Sequence, residues 1–444
     1  MKTFLVVITL TLHVAAYSQT AAPKENVLTK EFSTPFGTVP FDKISPEDFM
    51  PAMTMALKDG RAEVQKITDN KAKPTFSNTI VALEQSGKSI TRISKVLFNL
   101  NSAETSPAIQ KNVRDISPLL TEYSNDISLN EKLFARLKSV FNKKDKLKLD
   151  KESYMLLDKT YKRFSRNGAN LPPDKKEQLR GINKELSDLS IKFSENVLNE
   201  TNDYSKHITD ENHLSGLPAF VKEAAASAAK KAGKEGWIFS LQAPSYGPFM
   251  QYADNRSLRE ELFKAFNSRA SKGNKNDNNA IIEKVVRLRY DKAQLLGYNT
   301  WADYILEERM ANSTAIVMDF LDDVKKYAEP AAEREMKELT AFAKSQGFTD
   351  DRLQRWDFAY YAEKLKKQRF NINDEILKPY FKLENVLNGL FDVTNRLFGL
   401  TFKKNTEIKT WHEDVVAYEV YDASGKMMAI WYGDYFPRPG KRAG

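Results

Sequence analysis

The sequence predicts a mainly α-helical protein, with an elongated multi-helical body and a small β-hairpin subdomain. Glycine and proline number only 18 and 17 among 444 residues, which disfavours a many-stranded β architecture. Apolar residues recur at steps of three and four along much of the chain, as on the buried stripe of an amphipathic helix. The period changes to two only in Val415 to Tyr421 and Met427 to Tyr432, on either side of the turn sequence Asp422 to Gly425.

The composition excludes several classes of protein. Hydrophobic residues make up 41% and charged residues 29%, which is typical of a globular chain with a substantial core. The absence of cysteine excludes disulfides, thiolate zinc sites and cysteine nucleophiles. The net charge is +9, and Lys and Arg alternate with Asp and Glu instead of forming a basic stripe. Nucleic acid is therefore a poor candidate for a partner.

The first residues have the pattern of a secretory signal peptide, residues 1–18. Lys2 precedes an apolar run from Phe4 to Ala16, and the small-residue sequence ending at Ser18 fits a cleavage site. A membrane-spanning helix needs about 20 apolar residues, and this run is shorter. No later stretch qualifies as a membrane anchor, and without cysteine a lipid cannot be attached near the cleavage site. We therefore expect export to the periplasm or secretion.

Capping residues locate the first helices. Ser45, with Pro46 at the first helical position, predicts the start of the first helix. A second helix is predicted from residues 74–79 through Leu97, and a third after Ser106.

Later helices show clearer periods and ends. After residues 171–174, an amphipathic helix is predicted with an apolar stripe that we interpret as core packing. Ser257 and Glu260 have the spacing of a capping box. Gly297 and Gly347 are predicted C-caps. The stripe consists of Leu179, Ile182, Leu186, Leu189, Phe193 and Val197, and the further helices are predicted at 278–296, 300–309, 313–345, 355–367, 373–376 and 382–398.

Two short strands interrupt the helical pattern in the middle of the chain. Residues 204–208 and 237–241 are predicted to pair, with an Ala-rich helix at 219–232 between them. We divide the mature chain into an N-terminal helical domain, 19–243, and a second domain, 244–444.

The residues alone predict no active site. Phosphate-binding glycine loops and the G-x-S-x-G motif are absent from the sequence. His13 is lost with the signal peptide, and His207 and His213 lie six residues apart, a spacing that does not favour shared zinc ligation. His412 and the residue after it begin H-E-x-x-H, but Val416 occupies the fifth position, so the motif fails. Neighbouring acidic pairs on the helices are interpreted as solvated charges.

Six segments in this order, followed by a seventh at the end of the hairpin, resemble a known family. They are similar to the thimet oligopeptidase family of zinc metallopeptidases, specifically its bacterial peptidyl-dipeptidase (dipeptidyl carboxypeptidase) branch. Each segment is weakly specific, whereas their succession across nearly the whole mature chain is specific. The segments are Phe36 to Ile44, Leu214 to Pro218, Tyr252 to Arg259, Leu295 to Tyr298, Trp356 to Tyr361, Leu377 to Phe381 and Tyr432 to Phe436.

This resemblance implies a zincin-like catalytic domain on a helical body divided by a deep channel. The channel admits unfolded oligopeptides, and zinc held by H-E-x-x-H and a downstream glutamate activates water. The branch releases dipeptides from the C-terminus of the substrate, and the full-length protein is expected to be a monomer.

The resemblance also implies that the catalytic domain is incomplete in these 444 residues. In the family the H-E-x-x-H helix follows the Tyr-Gly-Asp segment by some tens of residues, whereas this sequence ends at Gly444. We therefore assign no catalytic residue and no zinc ligand, and expect the chain to be inactive alone. Residues 440–444 resemble the start of the family's strand beside the active site, so Gly440, Ala443 and Gly444 are candidate substrate-binding residues. A plain connecting loop is the alternative.

Two interpretations of function remain at this point. In the first, the chain is a portion of an exported peptidyl-dipeptidase. In the second, it is a natural non-catalytic helical module that binds peptides. The first interpretation also predicts that apolar side chains of the hairpin lack much of their packing surface, because two strands alone are marginally stable. These side chains are Trp411, Tyr418, Met428, Ile430 and Trp431.

Overall fold

The computed structural model describes residues 25–372 and 374–442. The predicted fold class is confirmed, because the chain is mainly helical with small antiparallel sheets. The predicted signal peptide lies outside the described residues. None of the described helices is both long and apolar enough to cross a membrane.

The elements follow one another with short connections. A π-helix, Phe76–Val81, precedes α2, and short 3₁₀ turns precede α1. The helices are α1 (Phe49–Thr68), α2 (Ala82–Glu84), α3 (Lys88–Ala103), α4 (Pro107–Ser128), α5 (Glu131–Phe141), α6 (Lys151–Arg166), α7 (Pro173–Asp203), α8 (Ala219–Lys231), α9 (Ala243–Tyr252), α10 (Arg256–Asn267), α11 (Asn279–Leu295), α12 (Trp301–Leu306), α13 (Thr314–Ser345), α14 (Arg355–Phe370), α15 (Asp374–Leu377) and α16 (Leu383–Phe398). The strands are β1 (Ser205–Ile208), β2 (Trp237–Ser240), β3 (Thr401–Asn405), β4 (Val416–Tyr421) and β5 (Met427–Gly433).

The N-terminal bundle has two apolar cores. Helices α1, α3 and α4 surround the first, with Phe49, Ile93 and Ile116 fully buried. The C-terminal half of α1, the π-helix, α5 and α6 surround the second. Ser45 forms a capping box with Asp48 at the 3₁₀ turn Pro46–Asp48, which leads into α1 three residues after the predicted start, and Ser106 caps α4.

The predicted single helix from residue 75 to Leu97 is wrong, because the chain breaks before α3. Gly87 adopts a left-handed conformation with φ of +69°. Its N–H donates a hydrogen bond to Glu63 Oε2 at 2.8 Å, and a Cβ at this position would lie 3.1 Å from the Tyr123 hydroxyl oxygen. A glycine is required where the backbone takes this conformation so close to a neighbouring ring.

The predicted strand pairing in the middle of the chain is confirmed. β1 and β2 are antiparallel, with Ser205 opposite Ser240 and Ile208 opposite Trp237. This sheet and α8, α9 and α10 share one apolar core, which extends across the predicted domain boundary between residues 243 and 244. The predicted capping box at Ser257 is wrong, because the Asn255 side chain caps α10 by accepting from the Leu258 N–H at 3.1 Å.

The predicted hairpin is confirmed, but it belongs to a larger sheet. β3 pairs antiparallel with β4, so the order is β3-β4-β5. Phe391 of α16 lies 4.4 Å from Phe402 of β3 between ring centroids and 5.2 Å from Tyr418. Trp431 contacts the same group of rings. Tyr418 and Trp431 of the hairpin therefore have packing partners that the sequence did not reveal, whereas the Met428 side chain is exposed.

Candidate functional site

Three of the segments that carry the family resemblance meet around Asp254. The Asp254 N–H donates to the Ser215 carbonyl oxygen at 2.9 Å, and the Ser215 hydroxyl donates to Asp254 Oδ2 at 2.7 Å. The Tyr360 hydroxyl donates to Asp254 Oδ1 at 2.7 Å, and Lys364 Nζ lies 3.3 Å from the same oxygen. Burial alone would raise the pKa of Asp254, but these hydrogen bonds outweigh it and lower the pKa.

The Asp357 cluster, defined as Arg256, Arg259, Asp350 and Asp357, lies next to Asp254. Arg259 and Asp357 are 1% and 0% exposed. Arg256 contacts both Asp357 oxygens, at 2.9 and 2.8 Å, and Arg259 Nη2 donates to Asp357 Oδ1 at 3.1 Å. Arg256 Nη1 also donates to the exposed Asp350 at 2.7 Å. Burial would raise the pKa of Asp357, but the hydrogen bonds from Arg256, the Gln354 N–H and Arg259 lower it.

The Asp357 cluster joins two helices and leaves no reactive group free. The Arg259 guanidinium also donates hydrogen bonds to the carbonyl oxygens of Ala253, Asp254 and Trp356. A buried network in which every donor and acceptor is satisfied holds its elements in one arrangement. The cluster therefore fixes α10 against α14 and is not a catalytic centre.

A second polar group, the Asp434 cluster, fixes the end of the described chain. It comprises Glu104, Trp411, Asp434, Arg438 and Lys441. Asp434 accepts hydrogen bonds from Trp411 Nε1 at 3.1 Å, from Arg438 at 2.8 and 2.9 Å, and from Lys441 Nζ at 2.9 Å. Arg438 also binds Glu104. The hydrogen bond from Arg438, assisted by Lys441 and Trp411, holds the pKa of Asp434 far below its usual value.

The predicted substrate-binding residue Gly440 lies beside this cluster, against the connection between α3 and α4. The Thr105 N–H donates to the Gly440 carbonyl oxygen at 2.6 Å, and the Arg442 N–H donates to the Ser102 carbonyl oxygen at 2.9 Å. A Cβ at Gly440 would lie 2.8 Å from the Thr105 carbonyl oxygen, so only glycine fits without a shift. The carbonyl of Gly440 is thus already bonded within the chain. Ala443 and Gly444 lie outside the described residues.

An apolar cleft of about 510 Å³ opens next to Gly440. Residues of helix α8, strand β2 and the segment 437–439 line it. Asn202, which also lines it, donates through Nδ2 to the Pro439 carbonyl oxygen at 3.3 Å. The apolar residues that line it include Phe220, Val221, Ala224, Ala225, Ala228, Ile238, Pro244 and Pro437. Such a groove suits side chains of an extended peptide.

The residues that the structure describes do not fit the zinc that the family resemblance implies. His207 Nε2 is hydrogen-bonded to the Glu235 carbonyl oxygen at 2.6 Å, and His412 Nδ1 lies 3.5 Å from Asp414 Oδ2. A catalytic zinc needs three protein ligands. Across 25–372 and 374–442, no group of three or more His, Cys, Asp or Glu side chains could hold a metal ion. We therefore assign no step of catalysis to a metal bound by these residues.

Comparison with known sequences finds similarity to one family of peptidases. Residues 249–444 match Peptidase family M3. It is 36% identical to oligopeptidase A of Escherichia coli over 421 residues, which cover 94% of this chain and 62% of that protein. It is 34% identical to dipeptidyl carboxypeptidase of the same organism over 408 residues, which cover 91% and 60%. The chain thus spans about three-fifths of the length of these relatives.

Reasoning from the sequence identified the segments but not the roles of their polar residues. Tyr252 to Arg259 and Trp356 to Tyr361 were recognised as motifs, yet their contacts join residues about 100 positions apart. No local signal marked Arg259 and Asp357 as buried, because α10 and α14 both contain several other charged residues.

Proposed function

We propose that the whole protein to which this chain belongs hydrolyses unfolded oligopeptides as an M3-type metallopeptidase. We further propose that the described part forms one wall of its peptide-binding channel. One observation carries the proposal: the Asp434 cluster fixes the segment in which residues 437–439 line the apolar cleft and residue 440 begins the stretch that resembles the family's strand beside the active site.

The geometry supports binding of an extended chain. The cleft is lined by apolar side chains of α8 and by residues 437–439. Release of dipeptides from the substrate's C-terminus is the finer part of this proposal, since the homologues include both oligopeptidase A and dipeptidyl carboxypeptidase. Zinc chemistry belongs to the whole protein in this proposal, and no described residue is given a part in it.

Peptide binding can be tested with a variant that fills the cleft. Ala228 lines the cleft, whereas its neighbour Ser227 is exposed and does not. We expect Ala228→Trp to weaken binding of a fluorescent nine-residue peptide by about tenfold or more, equivalent to about 1.4 kcal/mol. Ser227→Trp is the matched control and should bind like the unchanged chain. Equal binding by both variants would refute the role of the cleft.

The catalytic status of the 444-residue chain has its own test. Because its described residues do not fit zinc, we expect the purified chain to retain no stoichiometric zinc and to leave a fluorogenic oligopeptide uncleaved. Peptidase activity that a chelator abolishes would contradict this expectation.

A non-catalytic peptide-binding module is the second candidate function. It is favoured by the cleft and the Asp434 cluster, both of which are complete within the described residues. A self-sufficient module should unfold in one cooperative, concentration-independent transition, whereas a portion of a larger enzyme should unfold broadly or aggregate. Calorimetry at two protein concentrations distinguishes the two.

We also propose that the protein is exported to the periplasm or secreted. The support is the apolar run from Phe4 to Ala16 and the small residues that end at Ser18. N-terminal sequencing of the protein isolated from its native cell should begin at Gln19. A product that begins at Met1 in the cytoplasmic fraction would reject export.

A further inference from the structure

A polar cavity of about 530 Å³, open to solvent, lies between helices of the bundle and shares no lining residue with the apolar cleft. We define it by the faces of α4, α7 and α11 that line it. Helix α4 contributes Ser117, Thr121, Ser124, Asn125 and Ser128, and α7 contributes Asn183, Ser187 and Ser190. These residues recur at steps of three and four, which places small polar groups where helices of a bundle usually carry apolar ones.

This arrangement corrects the interpretation of α7 drawn from its sequence. The apolar stripe of α7 was expected to be the core face, but Phe193 is exposed and most of the stripe is only half-buried. Leu179 is the member of the stripe that is fully buried. The face toward α4 is instead built from Asn183, Ser187 and Ser190.

A lysine without an acidic partner lies in the wall of this cavity. Lys292 Nζ donates to Asn183 Oδ1 at 2.7 Å. Burial lowers the pKa of Lys292, and no charged neighbour contributes to the shift. Nearby carboxylates bind other cations, since Asp126 pairs with Arg61 and Arg180 and Glu185 pairs with Lys284. None of the residues found to line the cavity is acidic.

The hydrogen bonds of Lys292 leave the cavity with an excess of donors. An ammonium group can only donate, so Asn183 must present Oδ1 to it. The Asn183 Nδ2 group then donates to Asn125 Oδ1 at 2.8 Å. Asn125, in turn, has its Nδ2 group left as a donor.

A buried hydroxyl adds to this excess. Ser117 is 6% exposed, lines the cavity, and its Oγ has no hydrogen-bond partner. A buried polar group without a partner is costly, unless a ligand or water satisfies it.

We propose that this cavity binds a small oxyanion, a carboxylate or a phosphate, through Lys292, Asn125 and Ser117. An anion would supply both the countercharge that Lys292 lacks and the acceptors that the amide and hydroxyl donors lack. The site is independent of peptide hydrolysis, and its test does not require an active enzyme.

The experiment is calorimetric titration of the 444-residue chain with three probes. Inorganic phosphate and N-acetylglycine carry the two kinds of oxyanion, and N-acetylglycine amide is the neutral control. We expect one or both anions to bind and the amide not to bind. If only one anion binds, the result identifies the ligand class. Absence of binding by both anions overturns the proposal.

Two lysines of α11 provide matched variants. Lys292→Met should weaken anion binding by about tenfold or more, since a hydrogen bond to a charged group contributes about 1.5–3 kcal/mol. Lys284→Met removes an exposed lysine from the same helix and should leave binding unchanged. Ser117→Ala retains the charge and should weaken binding by a smaller factor. If circular dichroism shows that Lys292→Met does not fold, the Ser117→Ala titration decides. Binding unaffected by either Lys292→Met or Ser117→Ala overturns the proposal.

Discussion

The buried carboxylate of Asp357 balances two arginines where α10 meets α14. Arg256 and Arg259 both donate to it, and Arg259 is itself buried. Bringing such charges out of water is costly and is offset only when each donor finds an acceptor. The contribution of Asp357 to the stability of the fold therefore depends on its contacts with both Arg256 and Arg259.

Loss of Asp357 should destabilise the chain strongly. Asp357→Ala leaves Arg259 buried with no countercharge, for which the expected cost is about 3–5 kcal/mol. Asp350→Ala removes the exposed partner of the same Arg256 and should cost less than about 1 kcal/mol. Urea unfolding followed by circular dichroism measures both. Similar losses for the two variants would contradict the importance of burial.

A glycine allows the segment around Ser215 to approach Asp254. Gly216 has φ of +83°, and a Cβ there would lie 2.2 Å from the Tyr252 carbonyl oxygen. We expect Gly216→Ala to destabilise the chain by more than about 1 kcal/mol, because both the conformation and the contact oppose a side chain. Gly247→Ala is the control, since Gly247 lies in α9 with open space around its Cβ position. It should be neutral or stabilising by about 0.5–1 kcal/mol. A thermal melt in which both variants behave alike would reject this account.

At the scale of elements, the sequence was informative wherever the signal was local. Helix starts at Ser106 and the C-cap at Gly297, with φ of +86°, follow from the residues themselves. The ends predicted for the helix at 313–345 agree with Thr314–Ser345 within one residue. The local alternation of β4 and β5 was likewise sufficient to predict their hairpin.

Elements that depend on distant partners were missed. β3 has two consecutive lysines and only one large apolar residue, Phe402, so no period of two is visible in it. It forms because β4 offers an edge and Phe391 covers Phe402. The contacts of the candidate site could not be predicted from local sequence for the same reason. Gly440 was identified through the family resemblance, whereas the hydrogen bond from Thr105 joins residues 335 positions apart.

The segment containing Gly440 is the element whose position should depend on pH. The folded-state pKa of Asp434 is lowered, chiefly by Arg438, so its stabilising effect is complete above the unfolded value of about 3.9. This effect is lost as pH falls toward and through the lower folded-state pKa. Acidification from about pH 5 should therefore speed amide exchange at Thr105 and Arg442, relative to intrinsic rates, by opening this contact.

Replacing the Asp434 carboxylate tests at neutral pH whether the Asp434 cluster holds the segment that contains Gly440. Asp434→Asn should speed exchange at the Thr105 and Arg442 amides by about tenfold or more, because bonds to a charged acceptor are replaced by weaker ones. Asp422→Asn is the control, since its carboxylate bonds only within the turn between β4 and β5. Unchanged exchange in Asp434→Asn, measured by hydrogen–deuterium exchange, would show that the cluster does not hold the segment.

At the scale of the whole molecule, the apolar core is unevenly distributed. The buried residues of the two N-terminal cores and of the core around β2 lie before residue 270, and a smaller core between α13 and α14 lies after it. Most of the large apolar side chains that are exposed within the described residues lie from Ile282 onward. On α16 they form a stripe of Val386, Leu390, Val393 and Leu397, and no residue of that helix is buried. The two halves of the chain should therefore differ in local stability.

Two helices of equal length, α3 and α16, provide a direct comparison. Leu97 of α3 is 0% exposed and Leu390 of α16 is 43% exposed. We expect Leu97→Ala to lower the free energy of unfolding by about 2–5 kcal/mol, because it leaves a cavity in the core. Leu390→Ala should change it by less than about 0.5 kcal/mol, as at other exposed positions. Urea unfolding monitored by near-ultraviolet circular dichroism measures both variants at low protein concentration.

The protein concentration decides what an unexpected result means. If Leu390→Ala is as costly as Leu97→Ala at every concentration, the stripe on α16 is packed within the monomer and the uneven distribution of the core is wrong. If its cost appears only as the concentration is raised, a second copy covers the stripe, since association adds stability by mass action. A cost near zero throughout shows that the stripe on α16 contributes little to the folded state, and then the amides of α16 should exchange by local opening while those of α3 exchange only with global unfolding.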